Sequence, residues 1–362
     1  MKIRTNTIIT LENNKQYMVL NQTEYEGFSY YLVMGLDQNK EIIENIKIRD
    51  KLLKSGLYPS VITGPTGSIG IALINELVAN GIEVLAVVRP GSRRADRIKE
   101  SSLVKRVSCD LSELEKLPEL IPEGADVFYH FGWDGTFGDS RNNMHGQNLN
   151  VKYALDAVEA AAKLGCDTFV GAGSQAEYGR FEGALNGSVP AFPENGYGIA
   201  KLCAGQMTRI LCHQKGMRHI WTRILSIYGP YDGDKTMVMS TIGKLLKGES
   251  PSCTKGEQMW DFLYSKDAAL AMRLLGEKGV DGKVYCIGGG QARPLKEYIE
   301  IMGQAIDSTI SIGFGDIPYS PNQVMYLCAD ITDLKEDTGF EPQYTFEKGI
   351  LETIEWCKEN NK

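Results

Sequence analysis

The stretch PSVITGPTGSIGIALINELVANG, Pro59 to Gly81, constrains the fold of this chain more than any other. A short apolar run that reads as a strand ends in glycines at 64, 67 and 70, and an apolar helical segment follows until Gly81. Glycines free the backbone for a tight turn, and the first turn of the following helix presents unpaired N–H groups. The alternation then recurs. EVLAVVR, VKRVSCD, ADVFYHFG, CDTFVGAGS and RHIWTRILSIYGP read as further strands, with NLNVKYALDAVEAAAKLG and the stretch around Tyr197 as helices. Strands separated by helices of this length predict βαβ units and an α/β, doubly wound parallel sheet over residues 58–230. After Pro230 the alternation weakens. Residues 231–362 are therefore expected to form mostly a smaller domain over the carboxyl edge of the sheet, with some segments returning to it.

Residues 1–57 have another character. TIITL, QYMVLNQ and SYYLVMGL are β-rich runs separated by turn-like pieces, which predicts a small meander appended to the main fold. NKEIIENIKIRDKLLKSG reads as a short helix or linker ending at Gly56, and no catalytic constellation falls in this region.

At 362 residues the chain is long enough for one large domain or two moderate ones, with an ample core. Its formal net charge of −7 argues against a general partner of nucleic acid or of acidic membranes. No apolar run approaches the ~20 residues of a membrane span, and MKIRTNTIITLENNKQ turns polar too soon for a secretion signal. The eight cysteines stand singly with no CxxC, as expected of free thiols in a reducing cytoplasm. The four histidines lack HxxxH or HExxH spacing, so no metal site is expected.

A glycine loop joining a strand to a helix is the setting in which a dinucleotide pyrophosphate rests on a helix N-terminus. The candidate contacts are Gly64, Thr66, Gly67, Ser68, Ile69 and Gly70. The end of the second strand reads the cofactor's 2′ position. There stands Arg89, followed closely by Arg93 and Arg94. Guanidinium groups pair with phosphate through forked hydrogen bonds, so NADP(H) is favoured over NAD(H). Asp110 and Leu111, after the third strand, are placed to bracket the adenine, with Asp110 accepting from its amino group.

Tyr197 and Lys201 lie four residues apart on an expected helix, hence on one face. A free tyrosine titrates near pH ~10, and a neighbouring ammonium should lower that value by stabilising the phenolate. The lysine could also hydrogen-bond the nicotinamide ribose. Ser174, at the end of the fifth strand, would hydrogen-bond the same substrate oxygen as the tyrosine. Nucleotide loop, serine and YxxxK in that order make Ser174, Tyr197 and Lys201 the candidate catalytic residues.

With TGPTGSIG, CDL, VFYHFG, GSQAEYG, YGIAK, RILSIYGP and WDFLYSKDAA, the chain resembles the extended short-chain dehydrogenase/reductases, the NAD-dependent epimerase/dehydratase family that processes nucleotide sugars. The resemblance runs from about Pro59 to Trp356. It implies a Rossmann-like fold, a cofactor over the glycine loop, a nucleotide-sugar substrate, and the three candidates above on the catalytic triad positions. It also implies a homodimer formed through the helix after the fourth strand and the helix bearing Tyr197.

Relatives that dehydrate sugars carry acidic residues just after the serine-type position; here stand Gln175 and Ala176, neither an acid nor a base. Epimerase-reductases place a cysteine at Ala176. What remains is chemistry needing hydride and one proton: NADPH-dependent reduction of a 4-keto-6-deoxy sugar nucleotide, or 4-epimerisation with tightly bound NAD. Arg89 tilts the reading to reduction, and the segments GSQAEYG and EQMWDFLYSKD most resemble deoxysugar 4-reductases. A reading of another class is a dinucleotide-sensing regulatory protein. Two arginines that relatives use on the substrate diphosphate are missing; Trp260 stands at one such position and none lies near Ser311–Asp316. Lys235, Lys244, Lys247 and Arg293 are the substitute candidates.

Overall fold

The computed structural model describes strands within residues 8–44 and the chain from 59 to 360 except 322. Two compact units result, Met1–Leu57 and Tyr58–Lys362. The first holds β1 (Ile8–Thr10), β2 (Gln16–Tyr25), β3 (Phe28–Leu36) and β4 (Ile42–Glu44), paired antiparallel in that order. The stretch expected as helix or linker is thus corrected at Ile42–Glu44, where Ile42 pairs with Leu36 and Glu44 with Gly35 of β3 across a bulge. Its remainder lies outside the described residues.

The second unit is built on seven parallel strands: β5 (Ser60–Thr63), β6 (Val84–Val88), β7 (Val104–Ser108), β8 (Val127–His130), β9 (Thr168–Ser174), β10 (Arg218–Ile224) and β11 (Val284–Ile287). Their order is β11-β10-β9-β8-β5-β6-β7. Chain direction across the sheet reverses between β5 and β8, the switch point outside which such sheets bind ligands. This is the Rossmann-like arrangement. β5 and β6 are buried at every position, as strands covered on both faces must be.

Helix α1 (Ser68–Ala79) follows β5, α2 (Met144–Lys163) follows β8, α3 (Gly196–Gln214) follows β9, and α4 (Ser265–Lys278) precedes β11. One buried cluster joins Leu73 and Leu77 of α1 to Met272 and Leu275 of α4. Another joins Ala157 and Val158 of α2 to Val61, Phe128 and Phe169 of the sheet. Gly81, with φ of 74°, takes the left-handed conformation that ends α1. A third cluster, with Val238, Ile242, Met302 and Ile350 at its centre, packs the helices 237–246, 295–306 and 346–359 together. No helix among the described residues is long and apolar enough to cross a membrane.

Candidate active site

The glycine loop is shaped by close approach. Gly64 has φ of 67°, and a Cβ there would stand 2.8 Å from the Gly132 nitrogen. A Cβ on Gly70 would stand 2.6 Å from the Gly64 carbonyl oxygen, so α1 can sit on its own loop only without one. Gly67 is exposed at the N-cap, where a Cβ would meet only the Gly64 carbonyl oxygen, at 3.9 Å, and the first turn of α1 carries no acidic residue to compete for its N–H groups. The hydroxyl of Ser68 is buried without a partner among the described residues. Exposed backbone donors, an open loop face and a free hydroxyl fit a pyrophosphate. Thr66 has its carbonyl held by Arg97 Nη1 at 3.1 Å, and Ile69 packs against the core.

Across the switch point, Thr63 Oγ1 lies 2.9 Å from His130 Nδ1 and accepts from the Gly132 N–H at 3.2 Å. Burial pushes His130 down to about 3, so its ring is neutral. Leu111 lies against Gly132, where an added Cβ would meet its side chain at 2.8 Å. Asp110 caps the turn after β7, its Oδ1 accepting from Ser112 N at 3.0 Å and Ser112 Oγ at 2.7 Å. These bonds, with a smaller contribution from Arg89, hold its carboxyl below the usual range. Arg89, Arg93 and Arg94 are exposed beyond the end of β6. Arg97 belongs with them, on the loop side, and was not distinguished by sequence spacing.

Ser174 ends β9. Its hydroxyl accepts from Ala176 N at 3.2 Å, while Glu177 Oε1 accepts from Ser174 N at 2.8 Å, a reciprocal capping box. Glu177 is fully buried and also takes Trp221 Nε1 at 3.0 Å and Arg223 Nε at 2.8 Å. The S-x-x-E pattern was there to be read; the distant arginine was not. Helix α3 starts against this turn, since a Cβ on Gly198 would stand 2.2 Å from the Ala176 carbonyl oxygen. Asn195 caps the helix through Gly198 N at 2.9 Å. Tyr197 is thereby carried to Ser174, whose side chain favours the phenolate.

Lys201 shares that face, with its Nζ 5.8 Å from the Tyr197 ring centre, but it turns elsewhere. It sits 3.7 Å over the Trp133 ring and donates to the Ala172 carbonyl at 2.5 Å. Burial, partly opposed by Glu177, brings the lysine down to about 7. The expectation that this lysine lowers the tyrosine is corrected. Burial raises the Tyr197 phenol above its ordinary value, Ser174 and Arg141 pull it back down, and Glu177 adds to the rise. Arg141 was not foreseen: its Cζ lies 4.8 Å over the phenol ring. Trp133 was missed as well; it meets the Tyr197 ring edge-on at 6.2 Å and donates from Nε1 to Gln147 at 2.9 Å.

Trp260, at the position where an arginine was expected, donates from Nε1 to Ser226 Oγ at 2.8 Å. Both line a cavity of about 400 Å3 with Met237, Phe262 and Gln258. Arg293 is engaged by Glu347 at 2.7 Å, and Lys235 and Lys247 are exposed, with Lys244 half-buried. Among the described residues no group of His, Cys, Asp or Glu could hold a metal ion.

Residues 60–288 match the NAD dependent epimerase/dehydratase family. The chain is 29% identical over 187 residues to a dTDP-glucose 4,6-dehydratase of Xanthomonas campestris pv. campestris, covering 49% of this chain and 53% of that one, about half of the relative's length. It is 24% identical over 303 residues to the CDP-abequose synthase of Salmonella typhimurium, covering 81% and 96% of the two chains. Among solved structures it is similar to a UDP-N-acetylglucosamine 4-epimerase from Methanobrevibacter ruminantium M1, with a TM-score of 0.76, 22% identity, and coverage of 84% and 99%. The glycine loop at the switch point, the serine–tyrosine–lysine cluster beyond it and the match over most of the second unit converge: the chain belongs to the NAD dependent epimerase/dehydratase family, the extended short-chain dehydrogenase/reductases.

Proposed function

We propose that this protein is an NADPH-dependent reductase of a 4-keto-6-deoxy sugar nucleotide, with Tyr197 as proton donor. The observation that carries the reading is the convergence of Ser174, Tyr197 and Lys201 beside a glycine loop, with no acid or base at Gln175 or Ala176. Gly64 to Gly70 would hold the pyrophosphate on the N-terminus of α1. Arg89, Arg93 and Arg94 would hold a 2′-phosphate, and Leu111 would line the adenine side. The bound cofactor supplies a hydride to the carbonyl carbon.

What the chain's own side chains do then follows. Ser174 and Tyr197 donate hydrogen bonds to the substrate oxygen as negative charge builds on it, and Tyr197 yields its proton. Donors preorganised toward a developing oxyanion are typically the largest catalytic contribution. Lys201, released from Ala172, is within reach of becoming the donor to a ribose hydroxyl.

The similarity to CDP-abequose synthase over nearly its whole length supports a deoxysugar product. The exposed Leu149 of α2, with Ile199, Met207 and Ile210 of α3, supports homodimerisation through these two helices. Eight unbridged cysteines support a cytoplasmic setting.

Tyr197→Phe tests the donor role. Turnover of NADPH against a panel of 4-keto sugar nucleotides should fall about 10²–10⁴-fold with cofactor binding retained; a near-normal rate would refute it. Stoichiometric NADPH consumption marks a reductase, whereas product formation without net oxidation marks a 4-epimerase.

A further inference from the structure

Tyr197 is faced from four directions. Ser174 faces it from the end of β9 and favours its phenolate, and Glu177 stands behind that serine on the following turn. Trp133 meets its ring from the segment after β8, and Lys201 lies one turn along its own helix. From the short turn Gly138–Asn142 comes Arg141, with its guanidinium 4.8 Å over the phenol ring, nearer than the Lys201 ammonium at 5.8 Å.

Arg141 is fixed in that place. The Asn142 side chain accepts from Gly196 N at 3.0 Å, so its turn is bonded to the first residue of α3. Gly196 has no Cβ, and one would stand 2.9 Å from the Arg141 carbonyl oxygen. Backbone thus lies on backbone where the two segments meet. The Nε of Arg141 is buried without a hydrogen-bond partner among the described residues. A guanidinium that has left water on one edge with no acceptor there is compensated by the ring it covers, through the attraction of a cation for the aromatic face.

We propose that Arg141 is a positioning residue of this site, a permanent cation stacked on the proton donor that stabilises the charge the phenol acquires when it gives up its proton. The proposal rests on the reading of Tyr197 as that donor. Lys201 is poorly suited to the task in the free protein. Desolvation brings it down to about 7, and its ammonium is engaged by Trp133 and Ala172. Guanidinium stays charged throughout the working range. His130, behind the lysine, is neutral and contributes no charge. The two cations therefore divide the work, Arg141 on the phenol and Lys201 toward the cofactor.

The test is an ultraviolet titration of the Tyr197 phenolate, read as the difference between each protein and the same protein carrying Tyr197→Phe. Arg141→Met should raise the midpoint by about one pH unit, and the high-pH limb of turnover should move up with it. Arg141→Lys should recover part of the shift. An unmoved midpoint in both folded variants overturns the proposal. So does a rise confined to the KM for the sugar nucleotide, which would make Arg141 a substrate ligand. A Tyr197→Phe enzyme with normal turnover would remove the donor reading but leave the titration shift standing, so the two failures are separable.

Discussion

Replacing Glu177 with alanine strips the serine of its support and leaves a cation stranded. The carboxylate is fully buried, its partner Arg223 is only 4% exposed, and the three donors around it, Ser174 N, Trp221 Nε1 and Arg223 Nε, span residues 174 to 223. Breaking such a pair from one side costs about 3–5 kcal/mol, because the remaining charge stays desolvated. Arg223 already has one Nη without a partner among the described residues, and loss of the carboxylate would leave its Nε unpaired as well. For a unit of this size the loss corresponds to a fall in Tm of roughly 10 °C. Urea melting should show it as a lower midpoint at an unchanged slope. The pairing itself is isolated by adding Arg223→Met to Glu177→Leu. With both charges gone the desolvation cost also goes, and at least half of the lost stability should return. A drop below about 1 kcal/mol in Glu177→Ala, or a double variant no more stable than the single, would show that the pair is not what holds the turn. The function should follow the same anchor: Glu177→Gln keeps the shape but weakens the bond to the Ser174 amide, so kcat should fall while the Kd for NADPH stays constant.

Three further outcomes follow from named contacts. Gly70→Ala forces a Cβ within 2.6 Å of the Gly64 carbonyl and 2.7 Å of the Pro65 carbonyl carbon, both backbone atoms; NADPH affinity should drop at least about tenfold, with a stability loss of about 1–3 kcal/mol. Asp261 is fully buried and accepts from the N–H groups of Gly289 (2.8 Å), Gly290 (3.0 Å) and Ala329 (3.0 Å), so Asp261→Ala orphans three donors and should cost about 3 kcal/mol or more in urea melts. Lys201→Met should abolish turnover yet raise stability. Lys201 titrates at about 7 folded and near ~10.4 unfolded. The unfolded chain therefore binds the extra proton between those values, and wild-type stability rises with pH there. Methionine does not titrate, so the advantage of Lys201→Met should be largest at and below pH ~7 and should shrink toward pH ~10; a gap that widens with pH would contradict the buried ammonium.

The strand–helix order of the second unit was legible because it rests on short-range signals: apolar runs, glycines at the turns and helix-length spacers. The placement of Ser174, Tyr197 and Lys201 in one cluster was legible for the same reason, since each sits at a fixed point of a βαβ unit. What escaped were pairings made across the sheet. Nothing in the spacing joins Glu177 to Arg223, 46 residues on, or carries Arg141 over a ring 56 residues downstream. The stretch after Leu36 misled for a related reason, because Ile42–Glu44 is stabilised by an open edge of β3 that local helical pattern does not reveal.

Helical spacing says which side chains share a face, and it says nothing of what that face meets. Tyr197 and Lys201 do share one, but the sheet and the segment after β8 supply Ala172 and Trp133, and the lysine satisfies its buried charge there rather than on the phenol. The tyrosine, half enclosed, then carries a burial cost that its own helix does not offset. Its compensation comes from two other elements, the Ser174 hydroxyl and the Arg141 guanidinium, each brought in by a glycine that allows backbone contact: Gly198 on Ala176, and Gly196 on Arg141. The pair of glycines flanking the tyrosine in NGYG therefore helps to set the acidity of the phenol, since a side chain at either would lift the helix from one of the two groups that pull it down.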